Sequence, residues 1–326
     1  MSLPTFTSAT TAEEVATVFA DQIRGKNVLI TGTSVNGIGF ETARVIAKYA
    51  NLVIITGYNA ARLELTEEAI KKEVPSANLR PLILDLSHLA AVRTAAAEIN
   101  AYAEPLHVVI HNAAAGLGPY KLTKDNLELQ MATDHIGPFL LTKLLAPKLL
   151  AGAAGGYTPR VIFVSSIAHA AAPFVDLRTF GRPAEDTYNM LGAYAWAKQA
   201  NILTALELSR RSEGRIHAFS LHPGAVFTNM VQKEESKGFY QQVGLLTADG
   251  KPGPAMEWIT IPQGAATTVV ASFDPRLGEK PGAYLKDCIV ANDQLGSMIN
   301  EASAVPENAV KVWKATEEVI GEKFEL

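Results

Sequence analysis

Short apolar, β-branched runs alternate along this chain with longer segments whose apolar positions recur every three or four residues. The runs are Asn27–Thr31, Leu52–Thr56, Leu79–Leu84, His107–His111, Arg160–Ser165 and Arg215–Ser220. Between them, helical patterns cover Phe40–Tyr49, Ala60–Glu73, Ser87–Tyr102, Lys124–Leu150 and Ala193–Arg211. A shorter helix is predicted from about Ala12 to Ile23, after a polar Ser/Thr-rich lead. The run Val161-Ile162-Phe163-Val164 shows the character of the strands: it is apolar without alternation, as strands buried on both faces are. Strand–helix–strand order with right-handed crossovers predicts an α/β fold, a doubly wound parallel sheet in a single domain. That domain is expected over residues 26–290, after an N-terminal extension, 1–25. A C-terminal extension, 291–326, carries a terminal helix from about Pro306 to Ile320. Insertions at about 167–192 and 229–261 break the alternation. In such a fold they sit at the carboxyl ends of strands, where ligands bind, and are expected to form the substrate walls.

Composition narrows the classes. Of 326 residues 48% are hydrophobic and 19% charged, enough for one large core. The net charge is −4, with Lys and Arg scattered, so no basic stripe suggests a nucleic-acid partner. Cys288 is the single cysteine, which excludes an internal disulfide or a cysteine-built metal site and fits a reducing compartment. Met1–Ala20 has no Lys or Arg and no long apolar run, unlike a secretory or transit segment. No stretch of about 18 apolar residues predicts a membrane span. The expected location is cytoplasmic.

The first strand runs into Thr31-Gly32-Thr33-Ser34-Val35-Asn36-Gly37-Ile38-Gly39, which opens a helix. Glycines there permit a tight turn and close backbone approach to a pyrophosphate, and the helix N-terminus offers free N–H groups. Gly32, Gly37, Ile38 and Gly39 are therefore candidates for dinucleotide binding. The second strand ends in Thr56-Gly57-Tyr58-Asn59-Ala60-Ala61-Arg62, with no acid to select an unphosphorylated ribose. Ser34, Asn36, Tyr58, Asn59 and Arg62 are instead suited to a 2′-phosphate, which favours NADP(H) without excluding NAD(H).

Tyr194 and Lys198, four residues apart, share one face of a predicted helix. A nearby ammonium stabilises phenolate and tunes a phenol for proton transfer. Tyr120 and Lys124 match the same spacing, but in a loop leading into a helix. Context separates the copies: before Tyr194 an apolar strand ends in Ser165-Ser166, and after it another ends in His222-Pro223-Gly224-Ala225-Val226-Phe227-Thr228.

Together these elements resemble the short-chain dehydrogenase/reductase family, of Rossmann-like fold, over roughly residues 26 to 290. The resemblance is strongest to its retinol-dehydrogenase-like branch. It is carried by Ser165-Ser166-Ile167-Ala168-His169, by Ala193-Tyr194 through Asn201, by His222-Pro223-Gly224 and by Gly282-Ala283-Tyr284-Leu285-Lys286-Asp287-Cys288. It implies that Ser166 orients a substrate oxygen, Tyr194 exchanges a proton with it, and Lys198 holds the nicotinamide ribose and lowers the Tyr194 pKa. Pro223, Gly224, Val226 and Thr228 would cradle the nicotinamide, Asp85 with Leu86 would meet the adenine, and Asn112, Ala113 and Ala114 would lie against the cofactor. The activity implied is NADP(H)-dependent interconversion of a carbonyl and an alcohol on a small lipophilic substrate.

Two departures stand out. Four residues separate Gly32 from Gly37, one more than the family's spacing, so the loop is expected to bulge toward solvent or the ribose. Asp134, in Thr133-Asp134-His135, stands where the family has an active-site Asn, and it completes the expected catalytic set as a residue that accepts but does not donate hydrogen bonds. The change is expected to be tolerated. The alternative is a catalytically weak or inactive cofactor-binding regulatory protein. By analogy, the helices Lys124–Leu150 and Ala193–Arg211 would pair in a homodimer. Phe174, Phe180, Tyr188, Phe227, Phe239, Tyr240 and Trp258 are expected to line an apolar pocket. His135, His169 and His222 lack the spacing of metal ligands, and no metal is expected.

Overall fold

The computed structural model describes residues 3–291 and 299–326. Part of the predicted C-terminal extension (292–298) and the first two residues of the N-terminal one lie outside the described residues. The parallel sheet is built from β1 (Asn27–Ile30), β2 (Leu52–Gly57), β3 (Leu79–Ile83), β4 (Val108–His111), β5 (Arg160–Val164) and β6 (His217–His222). Later in the chain, β7 (Ala225–Val226) and β8 (Trp258–Ile259) form a small parallel pair of their own. The strands β9 (Tyr284–Lys286) and β10 (Ile289–Val290), not expected from the pattern, finish the large sheet, β10 running antiparallel. The order is β10-β9-β6-β5-β4-β1-β2-β3. It reverses direction between β1 and β4, and the carboxyl ends on either side of that point frame a crevice.

Period-two alternation explains why the sheet is covered on both faces. Leu29, Leu52, Ile54, Val109, Val161 and Phe163 point to one side, against α5 (Leu89–Ala101), α7 (Gly137–Ala151) and α8 (Met190–Arg211). Val28, Ile30, Val53, Ile55, Ile110 and Ile162 point to the other, against α3 (Ile38–Ala47) and α10 (Ile261–Phe273). The N-terminal helix packs on that second face through Val15, Ala16 and Phe19. It is two pieces rather than one, α1 (Ala12–Val18) and α2 (Ala20–Ile23), with a break at Phe19. Helix α4 (Ala60–Glu73) follows β2 as expected.

The helix expected from Lys124 begins instead with α6 (Leu129–Met131), because Glu128 caps it by accepting from the Gln130 and Met131 N–H groups. A π turn, Ala132–Ile136, then joins α6 to α7. Its cause is local. Pro138 has no N–H to give, and Gly137 donates back to the Ala132 carbonyl. Gly137 also approaches the Leu86 carbonyl so closely that a Cβ would lie 2.2 Å from it.

The terminal helix, Pro306–Ile320, packs on α8 and touches α7 at Phe139. Trp313 is fully buried, stacked on Phe324 at 4.9 Å and edge-on to Phe139 at 4.8 Å. Thr316 bonds His135 at 2.8 Å, and Glu322 pairs with Arg93 and Lys143 at 2.6 Å each. The two helices expected to pair between subunits are thus covered by this chain's own C-terminal segment. No helix among the described residues is long and apolar enough to cross a membrane.

Candidate active site

The glycine loop is pinned on both sides. Its Gly32 and Thr33 N–H groups donate to the Thr56 carbonyl at the end of β2, and Asn112 at the end of β4 donates to the Thr31 and Gly32 carbonyls at 3.0 and 2.9 Å. Glycine is required at two points. A Cβ on Gly39 would sit 2.3 Å from the Asn112 amide, and one on Gly32 would sit 2.7 Å from the Ala113 Cα. Gly37 starts α3 with no side-chain cap, leaving the first N–H groups of that helix for a phosphate. The extra residue is absorbed at Asn36, which is exposed and left-handed at φ 62°.

Beside the loop, Ser34, Tyr58, Asn59 and Arg62 line one shallow cleft at the end of β2. Asn36 stays outside it. Asn59 spends its carboxamide oxygen on the Arg62 N–H as the cap of α4. Tyr58 is 68% exposed, and Arg62 is exposed with no ion-pair partner among the described residues. Asp85 closes a turn by accepting from the Ser87 N–H and hydroxyl, and Leu86 is buried in the core, so only its backbone can face a ligand. A tight cradle and an uncapped helix start fit a dinucleotide, with the exposed Arg62 guanidinium beside them.

At the other end of the crevice Asn189 caps α8 through the Gly192 N–H, and this helix presents Tyr194 and Lys198 on one side. The Lys198 Nζ lies 5.3 Å from the Tyr194 ring centre and donates to the Val164 carbonyl at 3.1 Å. The two serines after β5 divide their work. Ser165 is buried and donates to the Lys198 carbonyl at 2.7 Å, while the Ser166 hydroxyl accepts from the Ala168 N–H and adjoins the Tyr194 phenol, pulling its pKa down. Tyr120 and Lys124 lie in a loop, with the Tyr120 hydroxyl on the Pro183 carbonyl.

Asp134 reaches into this centre from the π turn. Its Oδ1 accepts from the Ala115 N–H at 2.6 Å, and its Oδ2 lies 3.2 Å from the Lys198 Nζ. Side-chain exposure is 0% for Asp134 and 2% for Lys198. Burial first, and the Asp134 charge second, push the Tyr194 phenol above the ordinary tyrosine range, against the pull of the Ser166 hydroxyl. The lysine is present where the sequence led one to expect it, yet its charge is matched by a carboxylate.

The second insertion faces the centre. It contains α9 (Glu234–Gln242), and Tyr240, Val231, Leu246 and Leu117 form an apolar cluster with Tyr194, Phe227, Phe239 and Trp258. Phe174 and Phe180 pack into the main core instead, and Tyr188 bonds Gln130, Glu128 and Gly118, so the first insertion's aromatics do not join that wall. In their place come Met190 and Leu191 at the start of α8. Pro223 and Gly224 turn the chain into β7, Gly224 at φ 91° against Ile259, with Val226 and Thr228 buried beyond. Asn229 then donates to the Val35 carbonyl at 2.7 Å and Lys233 to the Ala115 carbonyl at 2.6 Å, tying the insertion to both sides of the crevice. Neither contact has a signal in local sequence.

The histidines have structural partners. His169 bonds the Ser166 carbonyl through Nδ1 at 2.6 Å and accepts from the Asn300 N–H through Nε2 at 3.2 Å. His222 accepts from the Ile167 N–H, and burial pushes its pKa down to about 3. No cluster of potential metal ligands occurs among the described residues.

The short chain dehydrogenase family model matches residues 26–176. A short-chain dehydrogenase from Brassica napus, TIC 32 A, chloroplastic, is 36% identical over 87% of this chain and 86% of its own. The chain belongs to the short-chain dehydrogenase family. Human retinol dehydrogenase 12 is 29% identical over 93% of this chain and 89% of that protein. A crystal structure of an uncharacterized protein from Mycobacterium paratuberculosis superposes with a TM-score of 0.67 at 25% identity, covering 94% of this chain and 98% of that one. This short-chain dehydrogenase therefore has the family's sheet and helices, and it is an oxidoreductase of that family.

Proposed function

We propose that this short-chain dehydrogenase uses NADP(H) to interconvert a carbonyl and an alcohol on an uncharged, lipophilic small molecule. The observation that carries the reading is the meeting of Tyr194, Ser166 and Lys198 at one wall of an apolar cluster. When bound, the nicotinamide supplies or takes the hydride. Tyr194 gives its proton to the carbonyl oxygen, or takes one from the alcohol, and Ser166 orients that oxygen. Lys198 would hold the ribose, while Pro223, Gly224, Val226 and Thr228 would support the nicotinamide end. Gly32, Gly37, Ile38, Gly39, Asn112, Ala113 and Ala114 would support the pyrophosphate, Asp85 and Leu86 the adenine. Ser34, Tyr58, Asn59 and Arg62, in the cleft at the end of β2, favour the 2′-phosphate. Cys288 is free and buried, which suits a reducing compartment, and the cytoplasm is the location proposed. No dimer through α7 and α8 is part of the reading.

The test follows NADPH and NADH oxidation against aliphatic and aromatic ketones and aldehydes. Tyr194→Phe is expected to lower kcat about 100-fold or more. Arg62→Ala is expected to raise the KM for NADPH roughly tenfold and to leave that for NADH unchanged. Equal efficiency with both cofactors would overturn the NADP(H) preference. The regulatory alternative draws on the Asp134–Lys198 pair; cofactor binding without Tyr194-dependent turnover on any substrate would decide for it.

A further inference from the structure

A second buried charge sits beside Lys198 at this centre. Lys198 and Asp134 are buried together, 3.2 Å apart, and the other carboxylate oxygen is fixed by the Ala115 N–H at 2.6 Å. A carboxylate held this way cannot swing out to water, and a carboxamide in its place would keep the Ala115 bond while removing the charge. The pair is neutral as a unit. An unopposed ammonium beside a phenol favours phenolate; an ammonium already matched by a carboxylate does so far less. We infer that Asp134 is a positioning residue that neutralises Lys198 and keeps Tyr194 a proton donor through neutral pH, so that the centre is built for carbonyl reduction. The inference rests on Tyr194 being the group that exchanges the proton.

The surroundings of Tyr194 agree with this. The titratable and charged groups facing it are Lys198 on its own helix, Asp134 from the π turn and Tyr240 from α9, while Ser166 contributes a hydroxyl. Tyr240 is itself held above the ordinary tyrosine range by burial and by Tyr194, and so adds no charge at neutral pH. Glu128 faces Asp134 from the start of α6, and burial raises its carboxyl too. Among the described residues, Lys198 is the cation that the ion pairs show on Asp134. In reduction, the Tyr194 O–H bond breaks and its proton forms the O–H bond of the product alcohol. A bound reduced nicotinamide would supply the hydride for the new C–H bond, and solvent returns a proton to the phenolate. Oxidation of an alcohol needs that phenolate at the outset, which this charge arrangement defers to alkaline pH.

The test reads Tyr194 directly. Ultraviolet titration of tyrosinate in the cofactor-free protein, minus the same curve for Tyr194→Phe, isolates its deprotonation. The wild-type phenol is expected to titrate above the free-tyrosine value of about 10. In Asp134→Asn, an isosteric change, it is expected about 1–3 pH units lower. The alkaline limb of kcat/KM for carbonyl reduction should move down with it. A Tyr194 that titrates at or below the free-tyrosine range in the wild type, or at the same pH in Asp134→Asn, overturns the inference. Unimpaired reduction by Tyr194→Phe would instead remove the reading of Tyr194 as proton donor, and the titration distinguishes the two failures.

Discussion

At Gly39 a single methyl group separates a working cofactor cradle from a broken one. Its Cβ would meet the Asn112 amide at 2.3 Å and the Gly32 carbonyl at 2.4 Å, the same pair whose hydrogen bond joins the loop to β4. Gly39→Ala is expected to cost about 1–3 kcal/mol of stability and to abolish NADPH binding, measured by thermal unfolding and calorimetric titration. Normal affinity in a folded variant would show that the loop yields more easily than this geometry implies. At this scale the sequence was informative about identities and silent about partners. The glycine spacing, the Tyr194–Lys198 pair and Asp134 are visible as residues in order. That Asp134 bonds Ala115 and meets Lys198 depends on a π turn, which Gly137 and Pro138 permit but whose aim only the packed sheet decides.

Among the elements, the second insertion is the one that spans the crevice, held by Asn229 on the glycine loop and Lys233 on the loop after β4. A ligand that enters between those loops passes under this strap. Asn229→Ala removes one hydrogen bond worth about 1 kcal/mol, so NADPH release is expected to quicken about fivefold, as read by stopped-flow fluorescence. An unchanged release rate would mean that the strap does not govern exit. The parallel strands were legible because burial on both faces leaves continuous apolar runs, as in Val161–Val164. The edge was not. Strands β9 and β10 are three and two residues long, too short for a periodic signal. The aromatics misled for a related reason: composition marks Phe174 and Phe180 as apolar, but not which face of α8 they serve.

For the whole molecule, the terminal helix occupies surface on the helices through which a dimer was expected. Trp313, Phe324 and Phe139 fill the surface over α7 and α8, and Glu322 bridges Arg93 and Lys143 at its rim. The protein is expected to sediment as a monomer. Trp313→Ala, which empties the centre of this contact, is expected to lose about 3–5 kcal/mol of stability, measured by denaturant unfolding; a stable dimer that includes α7 and α8 would contradict the arrangement. The same C-terminal region bears on chemistry through Asn300, whose N–H holds His169, whose ring in turn holds the Ser166 carbonyl. On the ribosome the glycine loop, Ser166 and Tyr194 emerge long before Asn300 does. A nascent chain therefore carries the glycine loop, Ser166 and Tyr194 before Asn300, the residue that supports the serine loop through His169, has been added.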